Sequence, residues 1–226
     1  MKIKLLPLIL IIIGVLIIAY PIADRIYSRL IEQKLMREWE ERMRNQQNDD
    51  TGDESDEVTS YLNLGEVFSQ LSEEEQSGET DEAPAKNFVT LGVLKIDKIK
   101  LSIPVLEGST PEVLKVGAGT LEGTSKIGVI GGNTGITAHR SYTYGKQFNR
   151  LNELEEGDTF NITTQQAVYH YEVFNKIIVE PTDVSFLKKN REESITSLIT
   201  CHPIYIASHR LIVQGRLYQA EKLPGN

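Results

Sequence analysis

Apolar and polar positions divide the chain into three textures. Residues 5–23, LLPLILIIIGVLIIAYPIA, are nineteen positions without a charge, flanked by Lys2 and Lys4 before and by Asp24 and Arg25 after. At about 1.5 Å per residue they span roughly 28 Å, close to the hydrocarbon thickness of a bilayer, so residues 1–24 read as a transmembrane anchor. The rival is a cleaved secretory signal. Its apolar core would run to ~7–15 residues and end in a small-x-small triplet, and neither holds here. Arg25, Arg29 and Lys34 compete with Lys2 and Lys4 for the cytoplasmic side, but a large domain behind a first hydrophobic segment is generally exported regardless of such charges. The expected location is the cell membrane, single-pass, with the bulk of the chain outside.

The second texture is charged. Residues 25–46 carry Ile26, Leu30, Leu35, Met36, Trp39 and Met43 at roughly helical spacing amid dense charge, which predicts a stalk helix. Residues 47–86 are rich in Glu, Asp, Ser and Gly, with too little apolar area to order themselves, and read as a flexible acidic linker. Within them Tyr61, Leu62, Leu64, Val67, Phe68 and Leu71 form an apolar island at approximate helical spacing, able to dock on a folded domain or cover a site.

The third texture, residues 87–219, consists of short β-rich runs between Gly, Pro, Asn and Asp clusters. It predicts strands over 89–96, 100–105, 128–137, 159–163, 167–179, 195–201 and 210–218, with helical pieces at 111–116 and 145–154. Seven or eight short strands in such a length indicate an all-β barrel or sandwich with a few helical turns. A polar tail, 220–226, follows.

Charge sharpens this division. Residues 47–86 hold thirteen Asp or Glu against one Lys, −12 in all, which leaves about +4 for the rest of a chain whose net charge is −8. The acidity belongs to the linker, and no basic face or tract suggests a nucleic-acid partner. The one cysteine, Cys201, excludes an intramolecular disulfide, and a lone exported thiol is a liability unless it is buried or used.

The candidate chemistry lies in the last two predicted strands. If Cys201 opposes Arg210, the same register sets Thr200 against Leu211, Ile199 against Ile212 and Leu198 against Val213, and every pair suits a β-sheet. A permanent cation across from the thiol favours the thiolate and can hydrogen-bond an oxyanion. The bland alternative, Cys201 as a small buried hydrophobe and Arg210 as a surface charge, stands beside it. A thiolate nucleophile also needs a proton donor, usually histidine. His170 lies inside an alternating strand, while His202 and His209 adjoin Cys201 and Arg210 and so point to the opposite face. His139 remains, at a strand-to-loop edge where catalytic side chains concentrate.

Ser197-Leu198-Ile199-Thr200-Cys201, with Arg210 nine residues on, resembles the sortase signature, and Thr137-Ala138-His139-Arg140 resembles that family's histidine motif. The likeness runs from Leu91 to Leu217 and takes in Gly119–Gly123, Glu156-Gly157-Asp158 and the run from Val179 to Asp183. It implies an eight-stranded sortase barrel in which Cys201 attacks a Leu-Pro-x-Thr-Gly-like sorting signal between Thr and Gly. An amine from a peptidoglycan precursor or a pilin lysine would resolve the thioacyl enzyme. The resemblance further implies His139 as the proton shuttle, Arg210 as the substrate or oxyanion holder, and Thr200 and Ala138 along the substrate groove, with no cofactor. Some relatives bind calcium, but no ligand spacing here marks such a site. The motifs resemble class C, the pilus-polymerising sortases. Two features depart from it: the chain has no Asp-Pro for the class C lid motif, and it ends in a polar tail where class C commonly has a second membrane helix. The alternatives are a thiol peptidase that passes the acyl group to water and a non-catalytic barrel that binds peptide.

Overall fold

The computed structural model describes Ile26 and residues 29–44, 57–77 and 88–223. The segment read as a membrane anchor lies outside these residues. No helix among the described residues is long and apolar enough to cross a membrane.

Eight strands close into a barrel: β1 (Thr90–Ile96), β2 (Leu101–Leu106), β3 (Ala118–Thr120), β4 (Asn133–Thr137), β5 (Thr159–Thr164), β6 (Ala167–Val179), β7 (Ile195–His202) and β8 (His209–Lys222). Their order around the barrel is β1-β2-β3-β4-β7-β8-β6-β5, with β5 pairing back onto β1. Closure leaves no free sheet edge. Two neighbours are parallel, β2 with β3 and β4 with β7, and both need crossovers. The first crossover is the helix α3 (Pro111–Val116), with Pro111 at its start and the Thr110 hydroxyl accepting from the Val113 N–H at 3.4 Å. The expected helix at 145–154 is a 3-10 turn, Gln147–Glu153. Strand β8 runs to Lys222, beyond the expected start of the tail, because β6 is long enough to pair with it, Ala167 standing opposite Lys222. Strand β3 is short and Gly-rich and gives no period-2 signal in the sequence.

Alternation along the strands sorts side chains onto two faces. Leu198, Leu211, Val213, Ile136 and Ala138 join the barrel interior with Leu94, Ile96, Ile103 and Val105. Ile199, Cys201 and Ile212 belong to a second cluster on the outer face, with Leu106, Val113, Leu114, Leu121 and Phe186. Two further helices complete that outer cluster: α1, residues 29–44, contributes Leu35, and α2 (Glu57–Ser77) contributes Tyr61, Leu64, Phe68 and Leu71.

The linker expectation for 47–86 therefore needs correction over 57–77, where the chain is helical and docked. Averaged over forty residues the segment is too polar to order itself. Tyr61, Leu64, Phe68 and Leu71, however, stand at i, i+3, i+7 and i+10 and are all at most 5% exposed. That stripe finds a ready apolar surface on the barrel, and burying each such side chain contributes about 1.5–3 kcal/mol.

Candidate active site

The hairpin of β7 and β8 has the register expected from the sequence: Leu198 opposes Val213, Ile199 opposes Ile212, Thr200 opposes Leu211 and Cys201 opposes Arg210. On the other side of β7, β4 runs parallel, with Thr137 level with Ile199. The Ala138 N–H donates to Ile199 O at 3.2 Å, so the ladder continues one step past the strand. Ala138 is thus level with Thr200, whose hydroxyl reaches its carbonyl, and His139 is the next residue along that segment. Cysteine thus sits on the middle one of three adjacent segments, histidine on one side and arginine on the other. All three are nearly inaccessible, at 4%, 6% and 3% exposure.

Each of these residues is held by its own element. The His139 carbonyl accepts from the Phe148 N–H at 3.2 Å, tying the loop after β4 to the following 3-10 turn. The His139 ring meets Tyr142 edge-on at 6.3 Å, and Tyr142 stacks on Tyr205 of the β7–β8 loop at 4.7 Å. Arg210 donates from Nη1 to Ala207 O at 3.2 Å and His209 O at 3.0 Å, while its Nε finds no partner among the described residues.

Helix α2 covers this cluster. The Arg210 guanidinium lies 5.3 Å from the Phe68 ring centroid, and a Cβ on Gly65 would stand 3.4 Å from Arg210 Nη2, so the helix backbone passes in contact with that guanidinium. Tyr61 packs edge-on against Phe186 at 5.4 Å, and its hydroxyl has no hydrogen-bond partner among the described residues. Phe186 is in turn fixed through its carbonyl, which accepts from Asn133 Nδ2 at 2.8 Å and Gln214 Nε2 at 2.9 Å.

Burial decides the state of the thiol. It pushes Cys201 up to about 11, against the opposing pull of Arg210 first and Arg140 second. Covered by α2, the residue is a thiol at neutral pH. Burial likewise pushes the Tyr61 phenol up to about 12. Both groups are held in their neutral forms, so their stabilising contribution is complete below the unfolded values, 9.0 and 10.0, and disappears as the pH climbs through the raised ones. Unfolding by urea at pH 8 and pH 10.5 should show lower stability at the higher pH. Cys201→Ala should reduce that difference, of which the thiol can supply at most about 2 kcal/mol between these two pH values.

The remaining expected site residues are placed differently. Thr200 and Ala138 face the barrel interior, on the side opposite Cys201. The Thr200 hydroxyl donates to Ala138 O at 2.8 Å, which pins β7 to the segment after β4 and leaves that hydroxyl committed within the fold, where a groove-lining role had been expected. Among the other histidines, His170 lies by Glu221 at 3.6 Å on β6, and His209 by Glu180 at 3.3 Å. His202 accepts at Nδ1 from Arg140 Nη1 at 2.9 Å. Arg140, within the histidine motif, is a further residue of this site that the motif alone does not single out. An arginine flanked by apolar strand residues and a loop is the available signal.

The sortase domain family model matches residues 94–218, more than half of the chain. Among curated proteins, Sortase SrtE1 of Streptomyces coelicolor is 27% identical over 179 residues, 72% of this chain and 50% of that protein. Sortase D of Bacillus subtilis is 30% identical over 128 residues, 55% of this chain and 62% of that protein. The chain therefore spans between half and two-thirds of the length of these relatives. Among solved structures, sortase C of Streptococcus pneumoniae superposes with a TM-score of 0.63 at 26% identity, over 84% of this chain and 99% of that one. The pilus-related sortase C of Group B Streptococcus gives 0.56 at 29% identity, over 71% and 90%.

Proposed function

The chain belongs to the sortase family, and from that premise we propose that it is a membrane-anchored cysteine transpeptidase acting outside the cell on proteins that carry a Leu-Pro-x-Thr-Gly-like sorting signal. The observation that carries this reading is that Cys201 stands opposite Arg210 in the β7–β8 hairpin while β4, parallel to β7 on its other side, leads directly into the buried His139.

In the proposed reaction α2 moves aside, the burial that favours the thiol is relieved, and Arg210 and Arg140 then favour the thiolate, the thiol proton passing to His139. The Cys201 sulfur attacks the Thr carbonyl carbon, and the Arg210 guanidinium hydrogen-bonds the resulting oxyanion. The C–N bond to Gly breaks as His139 gives its proton to the departing amine. An incoming amine loses a proton to His139, attacks the thioester carbon and expels the Cys201 thiolate. Atoms and charge balance over the two half-reactions, and no cofactor enters.

The pilin-handling sortases are the family members favoured as functional relatives. The likeness to the pneumococcal enzyme, whose structure is described in terms of pilin substrate specificity, covers more of this chain than the barrel alone, so it reaches into the helical segment before it. The experiment incubates the full chain with a sorting-signal peptide and two amines, a pilin-lysine peptide and a peptidoglycan-precursor peptide. Ligation to the lysine peptide is the expected product. Ligation to the precursor alone assigns wall anchoring, and hydrolysis alone in the presence of both amines makes the protein a thiol peptidase.

A further inference from the structure

We propose, resting on the transpeptidase reading, that Arg140 is a positioning residue for the reaction, holding the backbone of the nucleophile and the loop that carries His139 in one fixed relation. Its side chain is almost fully buried, and its donors reach two other parts of the fold, the end of β7 and the 3-10 turn Gln147–Glu153. Nη1 donates to the carbonyl of Cys201 itself at 3.1 Å and to His202 Nδ1 at 2.9 Å. Nη2 donates to Asn152 Oδ1 at 2.7 Å, and Nε reaches Asn149 O at 3.5 Å. Asn149 returns a bond to the same loop, its Nδ2 donating to Ser141 O at 2.6 Å. The residue before Arg140 is the proposed proton donor, so one rigid fork ties the donor's own loop to the nucleophile's peptide unit.

The chemistry of the partners fits this role. A guanidinium presents its donors in a fixed plane, so several simultaneous bonds specify direction as well as distance. The bond to His202 requires an unprotonated Nδ1. Burial, then Arg140 and His209, hold that imidazole below its usual range, and it is therefore neutral when it accepts. Arg140 also lies close enough to bias the thiol toward thiolate, after the larger pull of Arg210. The charged or titratable groups around Cys201 are Arg210 from β8, His139 and Arg140 from the loop after β4, and Tyr61 from α2. Among them, Arg140 is the one whose side chain donates to the cysteine's own carbonyl in the described residues.

The test uses the full chain and the variants Arg140→Gln, Arg140→Lys and Asn152→Ala. It measures thermal unfolding, the pH midpoint of Cys201 alkylation by iodoacetamide, and kcat and KM with a sorting-signal peptide. Arg140→Gln should lower kcat about 100-fold, the scale of a misplacement near 1 Å, with KM changed less than about 3-fold. Its alkylation midpoint should rise. Arg140→Lys keeps the charge and not the fork, so it should restore the midpoint and leave kcat low. Asn152→Ala, which frees only one end of the fork, should lower kcat by about 10-fold or less in a folded protein. A merely structural role would move the unfolding temperature alone. Folded Arg140→Gln with parental kcat and midpoint overturns the inference, and if neither Arg140 variant folds, parental kcat in folded Asn152→Ala overturns it. A parent chain that forms no thioester overturns the transpeptidase reading and this inference together. A parent that does form one, with variants that match it, overturns this inference alone.

Discussion

Replacing Tyr61 and Phe68 together by alanine is expected to speed alkylation of Cys201 at neutral pH by up to about a hundredfold, while leaving the barrel folded. The ordinary thiol value is 9.0 and the covered one about 11, and near pH 7 each unit of that difference changes the thiolate fraction about tenfold. Desolvation is the largest cause of the shift, and α2 supplies much of the cover: Tyr61, Leu64, Phe68 and Leu71 all lie in the cluster that contains Cys201. The helix is held by apolar contact and by the Phe68 ring under Arg210, with a Tyr61 hydroxyl that has no partner among the described residues acting against it, since burying such a group costs about 1–3 kcal/mol. Tyr61→Phe should therefore work in the opposite direction, seating the helix more firmly and slowing alkylation. Iodoacetamide kinetics on the parent and both variants, with circular dichroism to verify the fold, measure this. Equal rates in all three would show that α2 does not control access to the thiol.

The second large effect concerns Arg210. Arg210→Gln is expected to reduce kcat/KM by about 10²–10³, the usual loss when one preorganised oxyanion donor is removed, and to raise the pH needed for alkylation because the larger of the two cationic pulls on the thiol is gone. Arg210→Lys should preserve more of the alkylation behaviour than of the turnover. A lysine supplies charge but cannot direct one donor edge at Ala207 O and His209 O while turning another toward substrate. Full kcat/KM in folded Arg210→Gln would remove Arg210 from the chemistry.

What the sequence made legible was local and periodic. The β7–β8 register is one the sequence allows, since setting Cys201 opposite Arg210 makes every other pair of the short hairpin suit a sheet, and the strands do pair in that register. Setting aside three histidines relied on strand alternation, and in the structure His202, His209 and His170 meet Arg140, Glu180 and Glu221 respectively. What stayed hidden depended on partners distant in sequence. Helix α2 is too polar to predict as ordered until the outer face of Ile199 and Ile212 is available to receive it. Thr200 and Ala138 carry the family motif, but their side chains face inward because the strand alternates, and the residue beside them must then face out. The importance of Arg140 could not be read either, since its acceptors at Cys201, His202 and Asn152 lie 61, 62 and 12 positions away.

The most direct test of the central proposal is intact-protein mass spectrometry of the full chain with helix-opening substitutions at Tyr61 and Phe68, incubated with a Leu-Pro-x-Thr-Gly-like peptide. The expected result is an adduct of the acyl fragment ending in Thr, located on Cys201 by peptide mapping, released by an added amine and absent from the same protein carrying Cys201→Ala. No adduct on Cys201, or an equal amount of Thr–Gly cleavage when Cys201 is alanine, would contradict it.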